Sequence, residues 1–197
     1  NMDVAKYMPY VSAGLIIYAL ISTLILDGCT IFVSAEGLIK QVRVSYGVLV
    51  LTSIARNVIL LFHNLLVFVA IALFFELAPF NTILLFIPGL IIIILNAIWA
   101  TFLFGLVCAR YRDLQQLIAS LLQVIVFITP VYYFPSQVSG ESLPFFVVLN
   151  PMFHFIEILR APILGEVPSA LSYLVTISFG VIGSGIAFAI FARYRHR

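Results

Sequence analysis

The polar residues with the most suggestive spacing are Arg56-Asn57 and, seven positions later, His63-Asn64. Seven residues is close to two helical turns, so on a helix the two pairs share a face. A cation, an imidazole and two amides in line form a track that suits an anionic headgroup. The same groups also serve to bond neighbouring helices in a membrane, at about 0.6–2 kcal/mol per bond. Both uses stay open. His154 and Glu157 stand one turn apart and could imitate an acid/base pair. With no second acid nearby and proline on both sides, catalysis there is disfavoured. Tyr132, Tyr133 and Phe134 form an aromatic cluster continued by Phe145, Phe146, Phe153 and Phe155. Such rings make the belt at a membrane interface, and they are also surfaces on which sugar rings stack.

Other chemistries are missing. There is no Gly-x-x-x-x-Gly-Lys-Ser/Thr to cradle ATP phosphates, and no His-Glu-x-x-His or paired-cysteine pattern for zinc, so neither cofactor nor metal is expected on this chain. Gly183-Ser184-Gly185 lies inside an apolar run, and with Gly180 it reads as a small-residue helix contact rather than a dinucleotide loop. Cys29 and Cys108 are the two cysteines, which implies no disulfide framework. A net charge of +2 is too small to suggest nucleic acid.

The elements that must hold these residues follow from where charge is missing. Stretches 7–26, 57–75, 82–109, 114–140 and 167–192 contain no Asp, Glu, Lys or Arg. A bilayer's hydrocarbon layer is about 30 Å thick, which a helix crosses in roughly 20 apolar residues. Hydrophobic residues make up 63% of the chain and charged ones 9%, against about 25% charged in soluble domains. Backbone groups in lipid must bond within their own segment, so continuous runs of this length are helices. The expected fold is an all-α integral membrane protein, a bundle of five spans.

Basic residues set the orientation. Lys40, Arg43, Arg56, Arg110, Arg112, Arg193, Arg195 and Arg197 fall on one side of five crossings, and only Lys6 and Arg160 fall on the other. The positive-inside rule makes the first side cytoplasmic, with the C-terminus inside and the first residue outside. An outside start with no preceding signal predicts a sixth span upstream in the complete protein.

Two connections carry structure of their own. Region 135–168 holds five of the nine prolines together with an apolar stretch, 143–156, too short to span. It reads as short helices that enter the outer leaflet and return, and Pro130 should kink the fourth span just before them. Region 34–43 reads as a short amphipathic helix at the cytoplasmic surface. Ser34 is the expected N-cap, Glu36 suits the first turn, Lys40 and Arg43 the last, and Leu38, Ile39 and Val42 share one face.

Taken in order, Gly37-Leu38-Ile39-Lys40-Gln41-Val42, Ala55-Arg56-Asn57-Val58-Ile59 with Phe62-His63-Asn64, Ala109-Arg110-Tyr111-Arg112-Asp113-Leu114 with Thr129-Pro130-Val131, and Asn150-Pro151-Met152-Phe153-His154-Phe155-Ile156-Glu157-Ile158-Leu159-Arg160-Ala161-Pro162 resemble the permeases of bacterial ABC-2 exporters for lipid-linked polysaccharides. O-antigen export permeases are nearest, with capsule and teichoic-acid permeases as cousins. Ser45-Tyr46 stands where the family usually places a proline. The resemblance covers nearly the whole chain as one permease domain, without the family's N-terminal interface helix and first span. It implies a homodimer in the bacterial inner membrane, driven by two ABC ATPase subunits that bind the ATP and magnesium. Glu36, Gly37, Leu38, Ile39, Lys40 and Arg43 would then form the coupling helix. Asn150, Pro151, His154, Glu157, Arg160 and Pro162 would belong to a periplasmic gate. Arg56 would meet an undecaprenyl diphosphate headgroup, and Tyr132 and Tyr133 would offer stacking to passing sugars. Other classes remain: an ion-coupled transporter, against which stand the lack of internal repeats and of mid-membrane acids, and an intramembrane enzyme, for which no catalytic constellation exists.

Overall fold

A computed structural model describes residues 4–42, 44–77, 82–134 and 145–194. Eight α-helices follow in order among them: α1 (Val4–Ser34), α2 (Glu36–Gln41), α3 (Tyr46–Phe74), α4 (Phe86–Arg110, led by a 3-10 turn Ile83–Leu85), α5 (Leu114–Ile128), α6 (Phe145–Val148), α7 (Pro151–Ile163) and α8 (Ala170–Tyr194). There is no strand among the described residues.

α1 is the centre of the bundle. It packs along α3 and α4 and also touches α5 and α7, while α8 lies on the far side of α4. Small residues set how closely these helices approach, as is usual where lipid leaves no hydrophobic drive between helices. A Cβ added at Gly28 of α1 would stand 2.9 Å from the Cα of Thr101 in α4, and one at Gly183 of α8 would stand 2.3 Å from the Trp99 ring. The expected small-residue contact at Gly180 and Gly183 is therefore the α4–α8 crossing. Gly185 faces open space instead.

Four helices are long and apolar enough to cross a membrane: α1, α3, Ile83–Arg110 and the Ala170–Ile190 part of α8. The fifth expected crossing is different. α5 has 15 residues, about 22 Å at 1.5 Å per residue, and falls short of a hydrocarbon layer about 30 Å thick. Pro130 does not kink a longer helix. The helix stops at Ile128 and Thr129 is extended (φ −81°, ψ 135°), because a proline ring disfavours helical backbone in the residue before it. Residues 135–144, part of the expected fourth span and of the gate region, lie outside the described residues.

Two further expectations are corrected. Ser34 is not the cap of the amphipathic helix. It ends α1, and its Oγ donates back to the Ile31 carbonyl at 3.2 Å, while Ala35 starts α2 with no side-chain cap. The charge-free run 7–26 understates its helix, since α1 continues seven residues past Asp27 to Ser34.

α7 does not lie on an outer surface. Phe153, His154, Ile156 and the run Ile158–Ile163 are buried against α1, α4 and α8. Asn150 caps it, accepting from the Met152 N–H at 3.0 Å, and Pro151 takes the first helical position, where its missing N–H costs nothing.

Candidate functional site

Polar side chains gather at the two ends of the bundle. At the basic end, α3 meets α1 through Asp27, whose Oδ2 accepts from Arg56 Nη2 at 2.6 Å and from Asn57 Nδ2 at 2.6 Å. Asn57 is buried and also donates to the Ser53 carbonyl at 3.0 Å. Its Oδ1 and the Ser53 hydroxyl are buried without a hydrogen-bond partner. Arg56 is half out of the bundle, its side chain 62% exposed. Two turns on, His63 is exposed and Asn64 half-buried, so the Arg56–His63 edge of α3 faces outward while Asn57 turns toward α1. Sequence reasoning named these four residues and missed Asp27, which ties Arg56 and Asn57 to α1. An acid and a cation in adjacent antiparallel segments was the signal that could have found it.

Beyond this junction α2 stands free of the bundle, with no buried residue. Glu36 accepts from Lys40 Nζ at 2.6 Å, one turn on, and lies 3.9 Å from Arg112 of the α4–α5 connection. The Lys40 hydrogen bond and charge, with Arg112 further off, hold the Glu36 carboxyl below its ordinary range. Leu38 and Val42 are exposed at 48% and 56%, and Ile39 is half-buried, so the helix presents an apolar strip away from the bundle. Gly37 has nothing within 4 Å of an added Cβ. Arg43 lies outside the described residues.

At the opposite end, α7 ties α1, α4, α5 and α8 together. Arg160, 3% exposed, donates from Nη1 to the Pro130 carbonyl at 2.8 Å and from Nη2 to Glu157 at 3.2 Å. Its guanidinium carbon lies 4.1 Å from the centre of the Tyr10 ring, and the Tyr10 hydroxyl donates to the same Pro130 carbonyl at 3.0 Å. A cation over an aromatic face gains attraction when water is excluded. Asn150 Nδ2 donates to the Thr129 hydroxyl at 2.8 Å, a second tie to the end of α5. His154 is buried, with Nε2 2.8 Å from the Val148 carbonyl and Nδ1 2.9 Å from the Ser172 hydroxyl of α8. A carbonyl only accepts, so Nε2 carries a proton. Both ring nitrogens are engaged in joining helices, and Glu157 turns to Arg160 instead.

Pro162 has no N–H for the Ile158 carbonyl one turn earlier. That carbonyl faces Gly89 of α4, where an added Cβ would stand 2.6 Å from its oxygen. The Pro162 carbonyl in turn accepts from the Thr82 hydroxyl at 2.9 Å. Proline and glycine thus fit α7 against α4.

The three aromatics at the end of α5 have separate fates. Tyr133 donates to the Ile128 carbonyl at 3.0 Å, and the Phe134 ring centre lies 4.2 Å from that of Tyr10. Tyr132 stays exposed and stacks on Phe127, with centroids 6.0 Å apart and planes 27° from parallel. Sequence reasoning also missed Gln116, Ser120 and Gln123, exposed on one side of α5. No group of three or more His, Cys, Asp or Glu suited to a metal exists among the described residues.

The model of a family described as ABC-2 type transporter matches residues 3–164. No curated protein matches the chain.

Proposed function

The chain belongs to the ABC-2 type transporter family and is a transmembrane ABC permease, and from that premise we propose that it exports undecaprenyl-diphosphate-linked polysaccharide of the O-antigen type across a bacterial inner membrane. Its ATPase partners would supply the ATP and magnesium chemistry, and two permease copies would make one path.

The observation that carries the cargo is the exposed Phe127–Tyr132 stack at the end of α5. Exposed rings offer sugar rings contact without binding any one of them tightly, which a sliding polymer requires. Arg56 supports the lipid end of the cargo. It is half exposed at the basic end, where the headgroup of the carrier would sit, and its present partner is a single carboxylate. Arg–phosphate contact is bidentate and stronger than a single neutral bond. Capsule and teichoic-acid chains share this chemistry and are the nearest alternatives.

Coupling follows from α2. Outside the apolar spans Leu38 and Val42 are about half exposed on a helix with no buried residue, and a groove on an ATPase would cover them. The charge-paired Glu36 and Lys40 stiffen the helix that would carry force inward.

The test is transport in proteoliposomes holding the permease, its cognate ATPase and a lipid-linked glycan. Glycan should become accessible to a soluble lectin on the far side only with ATP. Movement driven by an ion gradient without the ATPase would overturn the proposal, as would ATP turnover that never moves the glycan.

A further inference from the structure

α5 exposes two adjoining faces of opposite character. Gln116, Ser120, Gln123 and Phe127 recur every three or four residues and are all exposed. Leu117, Leu121, Val124 and Ile128 follow the same spacing one position on, about 100° round the helix, and are 53%, 50%, 56% and 48% exposed. The third side, with Leu122 and Val126, is buried against the bundle. Ser120 Oγ donates to the Gln116 carbonyl at 3.1 Å, while the two glutamine carboxamides have no hydrogen bond among the described residues. Gln123 stands nine residues into this apolar helix, about 14 Å beyond the charged 110–113 connection. A free carboxamide at that depth has no stable place against lipid, and polar side chains in membranes face protein or water. The apolar face beside it suits lipid or another helix.

We infer that the Gln116–Ser120–Gln123 stripe lines the water-filled path of the permease and hydrogen-bonds the hydroxyl groups of an uncharged, polyhydroxylated chain. Three features support it. The stripe carries amides and a hydroxyl and no charge, so it exchanges hydrogen bonds with hydroxyls without holding a counter-ion. Its spacing covers about 10 Å along the axis, enough for neighbouring hydroxyls of a polymer to be handed on. It also runs into Phe127, the ring stacked on Tyr132, so amide and aromatic surfaces form one continuous strip. This inference rests on the proposed function and adds the residues that meet the cargo within the membrane.

The test uses single cysteines in the complete permease–ATPase complex in membranes, with Cys29 and Cys108 replaced by serine. Positions 116, 120 and 123 are compared with 117, 121 and 124, using a charged, water-soluble maleimide. The stripe positions should label at least tenfold faster than their neighbours, and lipid-linked glycan should protect them. Gln123→Leu should lower export at least tenfold while Gln123→Asn restores most of it, with the ATPase still bound in both. Equal labelling at the two faces would overturn the inference. So would a disulfide between Gln123→Cys copies with no maleimide reaction, which would make the stripe a contact between chains. A labelling contrast that holds while no glycan moves would keep the water path and reject the polysaccharide cargo.

Discussion

The Arg160 guanidinium donates to the Pro130 carbonyl at 2.8 Å, and this bond joins α7 to the point where α5 ends. Pro130 sets both halves of the relationship. Its ring stops the helix, and its own carbonyl then points to α7 and accepts from Arg160 and Tyr10 together. Replacing Arg160 by methionine keeps bulk, strands Glu157 and leaves the Pro130 carbonyl with Tyr10 alone. Removing one member of a buried charged cluster costs about 3 kcal/mol. Thermal unfolding in detergent should fall by roughly 6–12 °C for a chain of this size, and an unchanged midpoint would show that the cluster contributes nothing.

Gly89 and Gly185 make an internal comparison. A methyl at 89 meets the Ile158 carbonyl at 2.6 Å and cannot be relieved by turning a side chain, whereas a methyl at 185 meets nothing. Gly89→Ala should destabilise by about 1–3 kcal/mol. Gly185→Ala should be neutral or stabilise by up to about 1 kcal/mol through helix propensity. Denaturation of the two variants side by side checks this, and similar losses in both would contradict the close α4–α7 approach.

Asp27 and Arg56 should couple. Arg56→Met leaves a carboxylate in α1 with Asn57 as its remaining partner, and Asp27→Asn removes the charge that needs pairing. The double variant should therefore be more stable than Arg56→Met alone, with an interaction energy of about 0.5–1 kcal/mol. Additive losses in a double-mutant cycle would mean that the two charges act independently.

These relationships mark where sequence reading succeeds and where it stops. The long apolar helices are visible because lipid excludes charge, so a run without Asp, Glu, Lys or Arg marks them directly. The same rule understated α1, which runs seven residues past Asp27 to Ser34 with the charge paired to Arg56. It also passed over Gln116, Ser120 and Gln123, which are neutral and so invisible to a search for charges. The end of α5 was misread as a kink because Pro130 permits either outcome, and the choice depends on Arg160, Tyr10 and Asn150 binding the freed segment. Backbone carbonyls leave no residue signature, so the partners of Arg160 and His154 could not be read in advance.

Glu36 gives a pH prediction. Its carboxyl is held below the ordinary glutamate range, first by the Lys40 hydrogen bond and then by the charges of Lys40 and Arg112. The Glu36–Lys40 tie is thus complete above the ordinary glutamate range and is lost as pH falls through the depressed value. Carbon-detected titration of the carboxyl should show a midpoint below that of a free glutamate, moving upward in Lys40→Met. An unmoved midpoint would remove the tie from α2.

Coupling through α2 is tested most directly by Leu38→Asp, a change at an exposed position on a helix with no buried residue. The variant should insert and fold as before, yet lose most ATPase co-purification and most ATP-dependent export. Full ATPase binding with unchanged export in that variant would contradict the central claim.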